Sequence, residues 1–597
     1  MKGWCGKILF VNLSKRKIKV LEFGEEFSRN YLGGNGFGAK LLFEHVKKGV
    51  EPFSSENYIF FVSGPLSGTL DHAAGRLGVI TKSPLTGLFM DSYLGGNFGA
   101  ELKYAGFDVL AVSGKSKKPV FLKVTNDEVE LSDAKHLWGK NIIETQKIIH
   151  RDEGKDYKVI GIGQGGERLV RFACTIAGTR AAGRGGTGAI MGSKNLKCLA
   201  IFGDNGVAVS DLDSLLEFYN AKIDEWEKNF KGGLSDFGTP VLVNIINNLG
   251  GLGTKNWQEE FFEEAEEISG ELLKEKYFKH HIACFGCRIA CSKVFEGKCL
   301  SEGPEYETLY ALGSCCGVTD LKAIIEADRL CDEYSLDTIS TGVSIAFGME
   351  AFERGFLTER DTDGLDFKFG NSEALIEAIH KIARREGFGN FLSEGSRRMA
   401  QKLKVDFNMD VRGLELAGHS PRALKSMALS YAVSPRGGSH HDGRPTYEYG
   451  LKDKRTIEGK ARISYDSQNW TAIGDSMIIC HLVERVFGYF LNENHLNLIK
   501  NVTGWNLTLK ELNEVAERII NLERAFNVRE GIRRKDDVLP KRIMFEEIPK
   551  GSSKGCIAKP QELEMMKDEY YEMRGWDSDG VPTQKRLKEL GLDWVEV

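Results

Sequence analysis

Residues 284–291 read CFGCRIAC, three cysteines spaced C-x2-C-x3-C, and no second such cluster occurs in the 597 residues. If an iron–sulfur cluster sits there, the fold must deliver a fourth thiolate from a distant segment, because four are the usual complement. The spacing is not the paired C-x2-C knuckle of structural zinc sites, and it reverses the C-x3-C-x2-C order of radical-SAM enzymes. On the cysteines alone, zinc and a purely structural role stay open. The candidate fourth ligands are Cys299, Cys315, Cys316, Cys331, Cys480 and the cysteines nearer the termini. Apart from Cys315–Cys316 the rest are scattered, which is no disulfide framework and points to a reducing cytoplasm.

A hydrophobic share of 41% with 28% charged residues describes a globular chain. No apolar run approaches the length of a membrane span, and the N-terminus lacks the pattern of a secretion signal. The net charge of −5 argues against a general nucleic-acid binder. Residues 1–205 carry short β-branched and aromatic runs between glycine-rich turns: KILFVNL, RKIKVLEF, NYIFFVSG, GRLGVIT, DVLAVSG, PVFLKVT and KCLAIFG. A helix is expected near 140–150. From about 209 the apolar period becomes helical, and it stays so through LKAIIEADRLCDEYSLDTISTGVSIAFGMEAFERG and LKELNEVAERIINLERAFNVREGIRR. The end, DEYYEMRGWDSDG, reads as a polar, aromatic tail. The pattern predicts an α+β protein: a β-rich base over 1–205 and two mostly helical domains over 206–408 and 409–597, closing over something buried.

Glycine is abundant (68 residues) and clustered at 31–40, 93–106 and 180–197. Each stretch alone is a tight turn, and none is a P-loop or a dinucleotide fingerprint. Arg76, Arg180 and Arg184 stand among these glycines, and guanidinium forks beside unhindered backbone are what a buried phosphate asks for. DEYSLD (332–337) and DSMIIC (475–480) share the frame D-x-x-x-[LI]-[DC], the second ending in a cysteine. Downstream of the cysteine loop, SEGPEYETLYALG (301–313) carries Glu302, Glu305 and Glu307. It runs straight into apolar sequence, so a carboxylate here can be drawn inward and its pKa raised. SPRGGSHHDGRP (434–445) presents His440 and His441 on a glycine-rich loop, and imidazoles carry protons near neutral pH.

Taken together, GPEYE, RAAGRGGTGAIMGSKNLK, KSPLTG, GGNFGAELKYAG, C-x2-C-x3-C, the paired D-x-x-x-[LI]-[DC] and RGGSHH resemble the tungsten-containing aldehyde:ferredoxin oxidoreductases over nearly the whole chain. The resemblance implies a tungsten bis-pyranopterin cofactor, one [4Fe–4S] cluster and Mg2+. It assigns Cys284, Cys287, Cys291 and Cys480 to the cluster. One pterin would fall to Asp332, Leu336 and Asp337, and the other to Asp475 and Ile479. Arg76, Gly95, Arg180, Ala181, Gly183 and Arg184 would serve the pterin phosphates and Mg2+. Glu307 and His440 match the proposed catalytic pair. Three departures stand out: Ser335 and Ile478 replace a glycine of the pterin motif, Tyr93 replaces an asparagine at the Mg2+ site, and E-x-x-H becomes EADR (Glu326–Arg329). The last removes the histidine of an iron-bridged homodimer, and an iron–sulfur small subunit is the alternative partner.

The implied reaction is oxidation of an aldehyde to a carboxylic acid, with electrons passing to ferredoxin or a polyferredoxin subunit. The same cofactor with formaldehyde, a sugar aldehyde, a sulfur species or an acyl-CoA is the alternative. A [4Fe–4S] hydro-lyase is the rival from another class; it leaves Cys480 and the arginine–glycine loops without a role.

Overall fold

The computed structural model describes residues 1–443, 450 and 452–597. Twelve strands fill the N-terminal third: β1 (Lys7–Asn12), β2 (Lys17–Glu22), β3 (Ile59–Val62), β4 (Leu77–Lys82), β5 (Phe89–Leu94), β6 (Val109–Ser113), β7 (Val120–Val124), β8 (Val129–Asp133), β9 (Lys158–Gly161), β10 (Thr175–Ala177), β11 (Arg180–Ala182) and β12 (Leu196–Ile201). They form two mixed six-stranded sheets, in the orders β2-β1-β6-β3-β4-β5 and β11-β10-β9-β12-β7-β8. The central strands are apolar at successive positions because both faces are covered. Leu9, Phe61, Val79 and Leu110 point into a core shared with Leu122, Ile160 and Leu199 of the second sheet. Their neighbours Ile8, Phe60, Ile80 and Val109 belong to the large core that the helices fill. The sheets are therefore a base with helices on one side, the α+β architecture the sequence predicts.

Helices follow from Leu212–Phe230 onward, interrupted by a small sheet of β13 (Phe278–Ile282), β14 (Ser292–Glu296) and β15 (Leu300–Glu302). The cysteine loop is the connection from β13 to β14. The segment 321–355, continuous in its helical pattern, is two helices, Leu321–Tyr334 and Thr338–Glu353, broken at Ser335 in the left-handed region (φ 60°). The expected polar tail is instead a packed helix, Pro560–Arg574, with Tyr570, Tyr571 and Arg574 buried. Its charge is satisfied inside, since Arg574 Nη1 pairs with Glu517 and donates to Asn469 Oδ1 at 2.6 Å. Hydrogen bonding hides such burial from a composition reading. No helix among the described residues is long and apolar enough to cross a membrane.

Where helices meet the base, backbone lies on backbone. A Cβ on Gly163 would sit 2.3 Å from the Glu333 carbonyl oxygen, and one on Gly34 would sit 2.1 Å from that of Asp475. Much of the glycine clustering at 31–40 serves this packing: Gly34 to His45 are helical, and their start abuts residues 475–478. Gly163 carries no positive φ, so replacing it tests the close approach alone. Gly163→Ala should destabilise the protein by about 1–3 kcal/mol. Gly24→Ala, where a Cβ meets nothing within 4 Å, should leave the thermal unfolding midpoint in place.

Candidate active site

The two D-x-x-x-[LI]-[DC] segments adopt one conformation. Each ends a helix in a left-handed residue, Ser335 (φ 60°) and Ile478 (φ 62°). The following amide reaches back five residues: Leu336 N–H donates to the Cys331 carbonyl at 2.8 Å, and Ile479 N–H to that of Gly474 at 2.9 Å. This is the geometry of a Schellman-type helix end. Asp337 and Cys480 then take equivalent places as the N-caps of the next helices. The departures from glycine thus keep the backbone a glycine would adopt, at a strain of about 1–2 kcal/mol each. Both turns sit against base glycines, and each is tied by a serine: Gly163 N–H donates to Ser335 Oγ (2.8 Å) and Gly36 N–H to Ser476 Oγ (3.1 Å).

Cys284, Cys287, Cys291 and Cys480 come together. Burial pushes the Cys287 thiol up to about 12, and the neighbouring Cys480 and Cys284 sulfurs push the same way. Cys291 is raised well above its ordinary value, first by burial and then by Glu305, and it too feels Cys480 and Cys284. No described cysteine is in a disulfide. Four thiols from two distant segments, Cys287 and Cys291 among them costly to ionise without a cation, suit an iron–sulfur cluster, whose charge removes that penalty. Gly95 lies against this group, since a Cβ there would be 2.8 Å from Cys284 Sγ. Arg76 links it to the second turn, donating from Nη1 to the Ile479 carbonyl at 2.8 Å. The Tyr93 ring lies 5.9 Å from the Arg76 guanidinium.

The Arg180–Arg184 segment spans from the thiols to the carboxylates. Arg180 Nε is 3.1 Å from Glu302 Oε1 and Nη1 3.8 Å from Glu305 Oε1. Ala181 is paired with Ile176 in the β10–β11 hairpin, and space beside Gly183 is open. Arg184 Nε is 3.0 Å from Asp337 Oδ2, while its Nη2 donates to the Glu415 carbonyl at 2.7 Å. Arg180 Nη2 and Arg184 Nη1 are buried without a hydrogen-bond partner among the described residues. Buried guanidinium donors left over in this way suit the phosphates of a pterin cofactor. Asp332 sits beside Arg180 but also beside Asp328 and Glu302; burial, then those like charges, raise its pKa well above the carboxylate range.

Glu307 and His440 meet as well. Glu307 Oε2 accepts the Gly418 N–H at 2.8 Å, and Oε1 faces two imidazole nitrogens, His419 Nε2 at 3.4 Å and His440 Nε2 at 3.6 Å. Burial raises the Glu307 pKa to about 7 against the lowering effects of the Gly418 amide and Arg184; Asp337 adds to the rise. His419, buried near Arg485, is driven down to about 3 and stays neutral. His440 is placed by the RGG sequence before it: a Cβ on Gly437 or Gly438 would lie 2.3 Å from the Val411 or Leu414 carbonyl. Arg444 and Pro445, the last residues of that motif, lie outside the described residues.

Sequence reasoning missed His419, whose segment LAGHSPR carries no recognisable frame. It also missed the surroundings of Asp475. A cavity of about 30 Å3 there is lined by Asn35, Asp91, Arg436, Asp442 and Glu523, and the buried atoms Asn35 Oδ1 and Thr471 Oγ1 beside it lack partners among the described residues. From Asp475 a buried chain runs on through His481 (2.6 Å), Glu484 (2.6 Å) and His495 (3.1 Å).

Residues 8–203 match the N-terminal domain of aldehyde ferredoxin oxidoreductase and residues 217–592 match its domains 2 and 3. The tungsten-containing aldehyde ferredoxin oxidoreductase of Pyrococcus horikoshii is 41% identical over 99% of this chain and 100% of its own. The WOR-like subunit of an aliphatic sulfonate oxidoreductase from Pyrococcus furiosus is 30% identical, over 99% of this chain and 97% of its own. A solved active-site complex BamBC of benzoyl-coenzyme A reductase with 1,5-dienoyl-CoA superposes with a TM-score of 0.85 at 26% identity, covering 100% of this chain and 98% of that one. The chain belongs to the aldehyde ferredoxin oxidoreductase family and is an oxidoreductase.

Because the neutral form of Glu307 is favoured by burial, its carboxyl should be protonated below about pH 7 and ionised above it. Infrared difference spectra across that pH should show a carboxyl band that Glu307→Gln diminishes, the remainder coming from Asp71 and Asp328, which burial also raises to about 7.

Proposed function

We propose that the protein oxidises aldehydes to carboxylic acids at a tungsten bis-pyranopterin centre. The observation that carries this reading is Glu307, a half-enclosed carboxyl with a pKa near neutrality, facing the His440 imidazole at 3.6 Å. Cys284, Cys287, Cys291 and Cys480 would hold a [4Fe–4S] cluster. Asp332, Leu336 and Asp337 would hold one pterin, Asp475 and Ile479 the other. Arg76, Gly95, Arg180, Ala181, Gly183 and Arg184 would serve the phosphates and Mg2+. When bound, the tungsten cofactor supplies a two-electron oxidant and the cluster a one-electron exit. Residues 1–205 act as base, and 206–408 and 409–597 as the two covering units.

In this reading Glu307, ionised, takes a proton from the water that becomes the second carboxylate oxygen. His440 Nε2 donates a hydrogen bond to the aldehyde oxygen as charge gathers on it. Gly418 N–H holds Glu307 Oε2, so the other oxygen does the proton work. Arg184 and Asp337 neutralise each other nearby, which keeps a second carboxylate charge from the reacting centre.

Full-length likeness to named aldehyde enzymes supports this substrate class. The benzoyl-coenzyme A reductase neighbour supports acyl-CoA reduction as a second reading, at lower identity. Ferredoxin or an iron–sulfur subunit would accept the electrons. An iron-bridged homodimer through Glu326 and Arg329 is disfavoured, because these are engaged in ion pairs with Lys298 (2.9 Å) and Glu333 (2.7 Å).

Protein purified anaerobically from its host should contain tungsten and iron and reduce a ferredoxin-type acceptor with aldehydes. Iron without tungsten or molybdenum in active protein would sink this reading in favour of a hydro-lyase. Glu307→Gln should lower kcat by ~10²–10⁴-fold with metal content unchanged. Activity of the native enzyme should rise with pH through about 7, as the base ionises. Cys480→Ser should lower iron per chain, as measured by mass spectrometry.

A further inference from the structure

Aldehyde oxidation, on the reading above, turns RCHO and H2O into RCOOH with release of two protons and two electrons. When bound, the tungsten cofactor and the cluster would supply the oxidant and an outlet for the electrons to an acceptor protein of the ferredoxin class. The protons need a separate way out of a site whose base is largely enclosed.

One side of that base is closed. Glu307 Oε2 is held by the Gly418 amide, and His419, 3% exposed, stays neutral under burial and the nearby Arg485 charge. Arg184 and Asp337, the charged groups that act on Glu307 among the described residues, are paired with each other at 3.0 Å. The other side opens stepwise. His440, its side chain 15% exposed, faces Glu307 Oε1, and its ring centroid is 4.1 Å from that of His441, which is exposed.

This spacing is built rather than left to a free loop. Before the histidines, Arg436 is 3.1 Å from Asp91 Oδ1; after them, Asp442 is bound by Arg436 and by Ser434 Oγ. His441 N–H donates to Ser439 Oγ at 3.2 Å. Asp442 thus faces Arg436 and Ser434.

We propose that Glu307, His440 and His441 form the line along which protons leave the active site. His441 is its solvent end and acts through His440. Glu307 takes the proton of the attacking water and, once the product has left and the His440 ring has reset to its Nδ1–H tautomer by exchange with water, returns to its ionised form by passing that proton to the bare Nε2. His440 passes a proton on to His441, which releases it to buffer. An imidazole suits both steps because it accepts on one nitrogen and donates from the other. The 3.6 Å gap from His440 to Glu307 is longer than a hydrogen bond and is of the kind that tightens in the substrate complex.

The test compares holoenzyme of the wild type, His441→Gln and His441→Ala, assayed with aldehyde and a ferredoxin-type acceptor. Tungsten and iron per chain and the unfolding midpoint should equal wild type in both variants, since the side chain is exposed. At low buffer concentration their kcat should fall about tenfold, with a larger solvent deuterium isotope effect and little change in KM. Added imidazole should restore the rate in both variants and leave the wild type unaffected. Wild-type rates and isotope effects at low buffer in both variants would overturn the line. So would a loss that imidazole does not reverse while metal content is intact. A wild type that oxidises no aldehyde at saturating buffer overturns the aldehyde reading, and the line with it.

Discussion

The architecture depends on backbone contacts that leave no room for a side chain. Gly163 and Gly165 receive the turn at 333–336, and Gly33, Gly34 and Gly64 receive the turn at 475–478. Each helix end is thereby set on the β-rich base through main-chain atoms, which have fewer ways to adjust than side chains do. The same turns position Asp337 and Cys480, so the placing of one carboxylate and one thiol follows from glycine packing well away from either.

Around that frame the site separates charge by burial. Burial holds the Cys287 and Cys291 thiols against ionisation, whereas the arginines at 180 and 184 retain donors with no hydrogen-bond partner among the described residues. Glu307 lies between these extremes. Its enclosure favours the neutral acid, one backbone amide and one arginine favour the anion, and the balance falls near neutrality, where a general base is most useful. A fully solvated glutamate would be ionised but weakly basic, and one lacking the Gly418 amide would be held neutral more firmly.

Much of this was legible in the sequence wherever the signal is local. Five of the six strands of the first sheet declared themselves as short β-branched or aromatic runs, β5 (FMDSYL) being the one left unread, and C-x2-C-x3-C and SEGPEYETLY each bring their functional groups together within a few residues. Cys480 was one of several open candidates on spacing alone, and only the whole motif set singled it out. His419 was invisible because its importance lies in facing Glu307 across 112 residues of chain. The tail at 568–580 was misread because buried Arg574 looks polar until its partners, Glu517 and Asn469, are seen. The glycines of 31–40 read as a tight turn; they open a helix instead, and most of them meet the protein's own backbone, a distinction that periodicity does not encode.

The left-handed turns at Ser335 and Ile478 have one more consequence. Each is seated on the base through main-chain atoms, so no change of side-chain rotamer releases it. Separating either turn requires the helical part to lift from the base, an opening whose cost approaches that of unfolding a cooperative unit. Asp337 and Cys480 therefore keep their places for as long as the fold around them holds.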